Sequence, residues 1–146
     1  MSFLLDTNVL SEMRKIRLGR ADPNVAAWAE QVQASDLYVS VISLQEIEQG
    51  LLLLQRRDAA QAAPLRQWFD GQVLPVLAPR TLPVTTEIAL CCARLNVPDP
   101  KPYRDGLIAA TAWVHGLTVA TRNHADFAAT GVALLNPWHW TGSQSA

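Results

Sequence analysis

With 146 residues, 49% of them hydrophobic and 17% charged, the chain has the length and apolar content of one domain with a sizeable core. Twelve Lys and Arg against 13 Asp and Glu give a formal net charge of −1, which excludes wholesale attraction to a polyanion and leaves any nucleic-acid binding to a local patch. No window approaches the ~18 consecutive apolar residues of a membrane span, and the N-terminus lacks the charged and apolar regions of a signal peptide, so a cytoplasmic protein without membrane association is expected.

Residues 2–5 read as a short buried strand that Asp6 ends, since Phe3, Leu4 and Leu5 run straight into an acid, a hydroxyl and an amide. Residues 7–14 carry helical spacing, with Val9, Leu10 and Met13 on one side. The basic residues Arg14, Lys15, Arg17 and Arg20 follow, fitting either an approach to phosphates or a solvated helix end. Asp22 and Pro23 form an N-cap and first-turn proline for a helix to about residue 34, with Val25, Trp28 and Val32 as its apolar side. Residues 37–42 are rich in β-branched side chains and predict a second buried strand. Ser43-Leu44-Gln45-Glu46 then opens a helix over 44 to about 56, whose leucines at 51–54 suffice for core packing and a partner surface.

Residues 58–72 continue helically, with Pro64 starting a second segment or kinking the first, and Leu65, Trp68 and Phe69 turned inward. Three prolines make residues 74–83 a loop, with one short strand near 82–84. A helix over 85–95 places Ile88, Cys91, Cys92 and Leu95 at core spacing. The adjacent cysteines point apart on such a helix, so no disulfide is expected and a reducing compartment is. The proline-rich residues 96–103 form a loop, and Arg104 or Asp105 begins a small-residue helix that Gly116 closes. Strands over 117–120 and 132–135 follow, with Thr121-Arg122-Asn123 at the end of the first and Asp126-Phe127 in a turn or single helical turn. Strands alternating with helices predict right-handed βαβ units in a three-layer α/β/α domain over residues 1–140, with a mostly parallel central sheet and a frayed tail at 141–146.

Four carboxylates fall at junctions rather than on faces: Asp6, Glu46, Asp105 and Asp126. In a parallel sheet the carboxyl ends of the strands share one edge, so residues far apart in the chain can converge there. Several carboxylates in one pocket need protons or a counter-charge, and an all-oxygen set suits Mg²⁺ or Mn²⁺. Such a site serves water attack on a phosphodiester. Each acid also has a structural reading. Ser43 and Glu46 make a capping box, Asp105 complements a helix dipole, and Asp126 fits an Asx-turn. Asp6 is the hardest to explain structurally, because a carboxylate at the end of an apolar strand is costly unless paired or metal-bound. The histidines (His115, His124, His139) have no zinc-ligand spacing with the cysteines, and no phosphate-binding glycine loop or nucleophile elbow is present. Trp138 and Trp140 fit base stacking or the covering of a core edge.

The blocks Leu5-Asp6-Thr7-Asn8-Val9-Leu10-Ser11-Glu12, Ser43 to Glu46, Asp105-Gly106-Leu107-Ile108-Ala109-Ala110-Thr111-Ala112, and Thr121-Arg122-Asn123 with Asp126-Phe127 resemble the PIN-domain nucleases, in the same order over residues 2–138. The closing Leu134-Leu135-Asn136-Pro137-Trp138 is similar to the FitB-type branch of VapC toxins. The resemblance implies an Mg²⁺- or Mn²⁺-dependent endoribonuclease, the toxin of a type II toxin–antitoxin pair, leaving a 5′-phosphate and a 3′-hydroxyl. It assigns Asp6, Glu46, Asp105 and Asp126 to the acidic quartet, with Asp6 and Asp105 as main metal ligands and Glu46 and Asp126 acting through water. Thr121 and Asn123 match the polar positions beside the quartet, and Thr7 the hydroxyl after the first acid.

The same resemblance implies a homodimer and a VapB/FitA-like antitoxin that inserts a C-terminal segment, often with an Arg or Lys, into the acidic pocket. Promoter DNA would be bound only through that antitoxin. The loop Pro98-Asp99-Pro100-Lys101-Pro102-Tyr103-Arg104 departs from the family pattern in its prolines and charge, which makes Asp99 a substitute acid to consider. Two other functions stay open on the sequence: a degenerate PIN-fold binding module, and a nuclease of structured DNA.

Overall fold

The computed structural model describes residues 1–142, so the expected tail lies, from residue 143, outside the described residues. Strand β1 (Phe3–Leu5) is buried at all three positions, as a strand flanked on both edges and both faces must be. It pairs in parallel with β2 (Leu37–Ser40) on one side and β4 (Thr118–Ala120) on the other, with Phe3 opposite both Leu37 and Thr118. Two short strands, β3 (Thr81–Leu82) and β5 (Leu134–Leu135), complete a five-stranded sheet in the order β3-β2-β1-β4-β5, parallel throughout. The expected α/β architecture is thus present, and the carboxyl ends of β1, β2 and β4 lie side by side.

Alternation along β1 sorts the core into two layers. Phe3 and Leu5 face a cluster with Val9 and Leu10 of α1 (Thr7–Arg14), Trp28 of α2 (Pro23–Gln31), and Ile47 and Leu51 of α3 (Val41–Arg57). Phe69, Leu65 and Trp68, at the end of α4 (Ala59–Trp68) and just past it, join that cluster. Leu4 points the other way, onto Ile108, Ala109 and Ala112 of α7 (Tyr103–His115) and Phe127 of α8 (His124–Phe127). Helix α6 (Thr86–Leu95) packs outside α7 through Ile88, Cys91 and Cys92 against Ala110, and both cysteines are free and buried.

Three local differences from the sequence expectation have physical causes. The second strand stops at Ser40 rather than 42, because the Ser40 hydroxyl accepts the Ile42 N–H at 3.0 Å and caps α3 itself. Ser43 is then inside the helix, buried, with its hydroxyl lacking a hydrogen-bond partner, and the expected Ser43–Glu46 capping box does not form. The loop expected over 74–83 starts helically instead: the helical run expected to residue 72 ends in a π turn at Phe69–Val73 that leads into α5 (Leu74–Leu77), where Pro75 occupies a first-turn position that needs no N–H. Pro64 lies inside α4 without ending it. Among the described residues no helix is long and apolar enough to cross a membrane.

Candidate active site

Asp6 is fixed by the sheet before any other acid reaches it. Its N–H donates to the Ala120 carbonyl at 3.0 Å, extending the β1–β4 ladder by one bond, and its side chain is completely buried. Oδ1 accepts the Thr7 N–H at 2.8 Å, so the carboxylate caps α1 at the end where the helix dipole favours an anion. Oδ2 accepts the Thr121 hydroxyl at 2.7 Å and the Asn8 side-chain amide at 3.4 Å. Thr121, itself buried at the end of β4, is oriented by the Asn123 N–H, which donates to its Oγ1 at 3.0 Å. Removing that hydroxyl leaves a buried carboxylate with one donor fewer. Thr121→Val is expected to lower stability by about 1.5–3 kcal/mol, the worth of a hydrogen bond to a charged group, as read from urea unfolding.

Glu46 lies on α3, and its Oε1 accepts the Thr7 hydroxyl at 2.9 Å. One residue of α1 therefore serves two acids, its N–H on Asp6 and its hydroxyl on Glu46. Asp105 enters on the first turn of α7, which packs closely on α6 because Gly106 has no Cβ; one built there would stand 2.9 Å from Cys92 Sγ.

Arg104 joins the three acids. Its Nε donates to Glu46 Oε2 at 2.8 Å, its Nη1 to Asp105 Oδ1 at 3.0 Å, and its Nη2 to Asp6 Oδ1. The three nitrogens of the guanidinium thus reach three different carboxylates: one between β1 and α1, one on α3 and one on α7. Burial works against the Arg104 charge, but hydrogen bonding to Glu46 and attraction to Asp6 outweigh it, and its pKa is raised above the ordinary arginine value. The cluster opens on a cleft of about 330 Å³ lined by Ile42, Gln45, Glu46, Tyr103 and Arg104.

Of the residues expected from sequence, Asp6, Glu46, Asp105, Thr7 and Thr121 meet in this network. Asn123 contributes its backbone N–H. Asp126 is exposed on α8, its N–H bonded to the Asn123 carbonyl at 3.1 Å. Among the described residues no three His, Cys, Asp or Glu side chains stand together as an ion would need them. The guanidinium fork accounts for this, since it spaces the acids around three nitrogens instead of one point.

Two members escaped the sequence reading, Arg104 and Asn8. Arg104 had a signal: a cation in the first turn of a helix opposes the dipole, so something anionic must hold it there. The basic run resolves toward structure in part, with Lys15 paired to Glu12 at 3.1 Å. Arg14 and Arg17 line a second, apolar cleft with Met13 and Trp68. Trp138 packs on the core edge, and Arg122 lies 5.0 Å from its ring centroid.

Comparison with known proteins agrees with this fold. A PIN domain profile matches residues 3–132. Toxin FitB of Neisseria gonorrhoeae is 37% identical over 143 residues, spanning 93% of this chain and 98% of that protein. The VapC ribonuclease Y4jK of Sinorhizobium fredii is also 37% identical over 143 residues, at 92% and 96% coverage. The crystal structure of FitAcB from Neisseria gonorrhoeae superposes with a TM-score of 0.83 at 35% identity, covering 94% of this chain and 99% of that one. DNA-bound VapBC from Salmonella typhimurium shares the fold, at a TM-score of 0.66 and 21% identity over 94% of this chain and 98% of that one. A five-stranded parallel sheet that gathers acids at its carboxyl edge, matched along nearly its whole length, makes this chain a member of the PIN-domain family.

Proposed function

We propose that the protein is a divalent-metal-dependent endoribonuclease acting as the toxin of a toxin–antitoxin pair. The observation that carries this reading is the convergence of Asp6, Glu46 and Asp105 on one cationic centre at the sheet's carboxyl edge. The donor set is all oxygen, which fits Mg²⁺ or Mn²⁺ and not a softer metal. Asp6 and Asp105 would hold the ion, with Glu46 beside them. When bound, the metal would supply an activated water and offset charge on the scissile phosphate.

The chain's own residues do the positioning. Thr7 orients Glu46 through its hydroxyl, and Thr121 holds Asp6 from the side opposite Arg104. Asn123 and Asp126, both exposed beyond β4, would meet the RNA or the attacking water. Relatives named as a toxin and as a VapC ribonuclease support the reading, as do solved complexes such as FitAB bound to an IR36 DNA fragment. By the same support the partner is a VapB/FitA-like antitoxin. Promoter DNA is reached through that antitoxin, the working form is a homodimer, and the compartment is the cytoplasm.

Purified protein incubated with single-stranded RNA should cleave it in Mg²⁺ or Mn²⁺, stop on EDTA addition and recover on excess metal. Cleavage that persists in EDTA would remove the metal from the reading. One observation favours a second reading, a binding module without catalysis: Arg104 already takes up all three acids. A folded protein that leaves RNA uncut in Mg²⁺ yet captures its antitoxin would establish that alternative.

A further inference from the structure

We propose that Arg104 is a resident counter-ion of the acidic pocket, competing with the divalent cation, so that metal enters only as the guanidinium swings out. The inference rests on the metal-dependent reading above. It begins with charge. Asp6, Glu46 and Asp105 are drawn together within reach of one group, and three such carboxylates need compensation from a proton, an ion or a basic side chain. Arg104 supplies it from within the chain.

Occupancy of the oxygens makes the two cations exclusive. Asp6 has no exposure, and both of its oxygens are engaged: Oδ1 by the Thr7 N–H and Arg104, Oδ2 by Thr121 and Asn8. An octahedral ion requires oxygens at about 2.0–2.1 Å from one point, whereas a guanidinium holds them about 2.7–2.9 Å from three separate nitrogens. The acids cannot satisfy both arrangements. The donors to Asp6 other than Arg104 belong to the sheet edge and the start of α1, leaving Arg104 as the one that can depart.

Its setting permits departure. The Arg104 side chain is 27% exposed and lines the open cleft with Glu46 and Tyr103, and Tyr103 is itself 79% exposed. The backbone of its own helix does not retain it, because the first turn of α7 repels a positive charge; within α7 it is held by the Asp105 carboxylate. The acids alone hold it, and a divalent ion offers them a stronger counter-charge.

The test is calorimetric titration of Mn²⁺ into the full-length, metal-stripped protein, alongside Arg104→Gln and Arg104→Lys, with thermal melting of each in EDTA and in Mn²⁺. Loss of a competing unit charge a few ångströms away should tighten Mn²⁺ binding to Arg104→Gln by about tenfold or more. That variant should also melt lower than wild type in EDTA and gain more from Mn²⁺. Arg104→Lys, a point charge that cannot reach three acids at once, should fall between the two. If the Gln variant fails to fold, the Lys variant decides: tighter than wild type supports the proposal, equal affinity overturns it. Equal or weaker Mn²⁺ binding by a folded Arg104→Gln overturns the counter-ion role and leaves metal dependence standing. No Mn²⁺ binding by any of the three overturns the metal-dependent reading itself, and the inference with it.

Discussion

Asp6→Asn is expected to reduce RNA cleavage by about 10³-fold or more and to relieve growth inhibition, with the fold retained. That loss corresponds to about 4 kcal/mol of transition-state stabilisation, the scale on which a metal site contributes. The carboxylate is the one acid that the sheet itself positions. Its charge also faces Arg104, so neutralising it removes both a proposed ion ligand and a buried counter-charge. The fold should survive because asparagine can still accept the Thr7 N–H, the Thr121 hydroxyl can turn to accept from the new amide, and Arg104 keeps Glu46 and Asp105. Unchanged far-UV circular dichroism beside lost cleavage is the expected pair of readings. Wild-type cleavage by a folded Asp6→Asn would remove Asp6 from the mechanism.

The largest expected effect on stability lies at the other end of β1. Trp28 is wholly buried and meets Phe3 edge-on, with ring centroids 5.2 Å apart and an interplanar angle of 82°. Trp28→Ala leaves a cavity between α2 and the sheet, and should cost about 3–5 kcal/mol, or roughly 6–20 °C in melting temperature for a chain of this size. Trp28→Phe is the informative companion. The indole Nε1–H has no hydrogen-bond partner, so phenylalanine discards an orphaned donor while keeping an aromatic face for Phe3. Its cost should stay under about 1.5 kcal/mol. A Trp28→Ala protein melting within about 2 °C of wild type would show that the layer under β1 repacks freely.

The features most legible in the sequence were those that local chemistry decides. Phe3-Leu4-Leu5 announced a strand buried on both faces, Asp22-Pro23 a helix start, and Gly116 a helix end, which the structure realises at a φ of 66°. Asp6 was legible because a carboxylate at the end of an apolar strand is costly without a partner, whereas Glu46, Asp105 and Asp126 each also had a structural reading and were singled out by the family resemblance. What misled was competition between similar signals. Ser40 and Ser43 each offer a cap with β-branched residues between them, and α3 begins at the first of them, where the Ser40 hydroxyl accepts the Ile42 N–H. Pro75 read as a helix breaker, but it stands at a first-turn position of α5, where proline is tolerated. Arg104 carried only half a signal: a cation in a first helical turn asks for an anionic partner, but its partners Asp6 and Glu46 lie 98 and 58 positions away and nothing local names them.

The parallel sheet also gives the site a birth date. The Thr7–Glu46 contact spans 39 positions and can form early, but the hydroxyl that orients Asp6 comes 115 residues after it, from the end of β4. A ribosome adding about 5–20 residues per second needs on the order of ten seconds to bridge that interval. Throughout it, Asp6 is without its Ala120 carbonyl and its Thr121 donor. A chain made only as far as α7 therefore carries the first acid but not the pocket, and for a protein proposed to cut RNA, competence is deferred until β4 has been made.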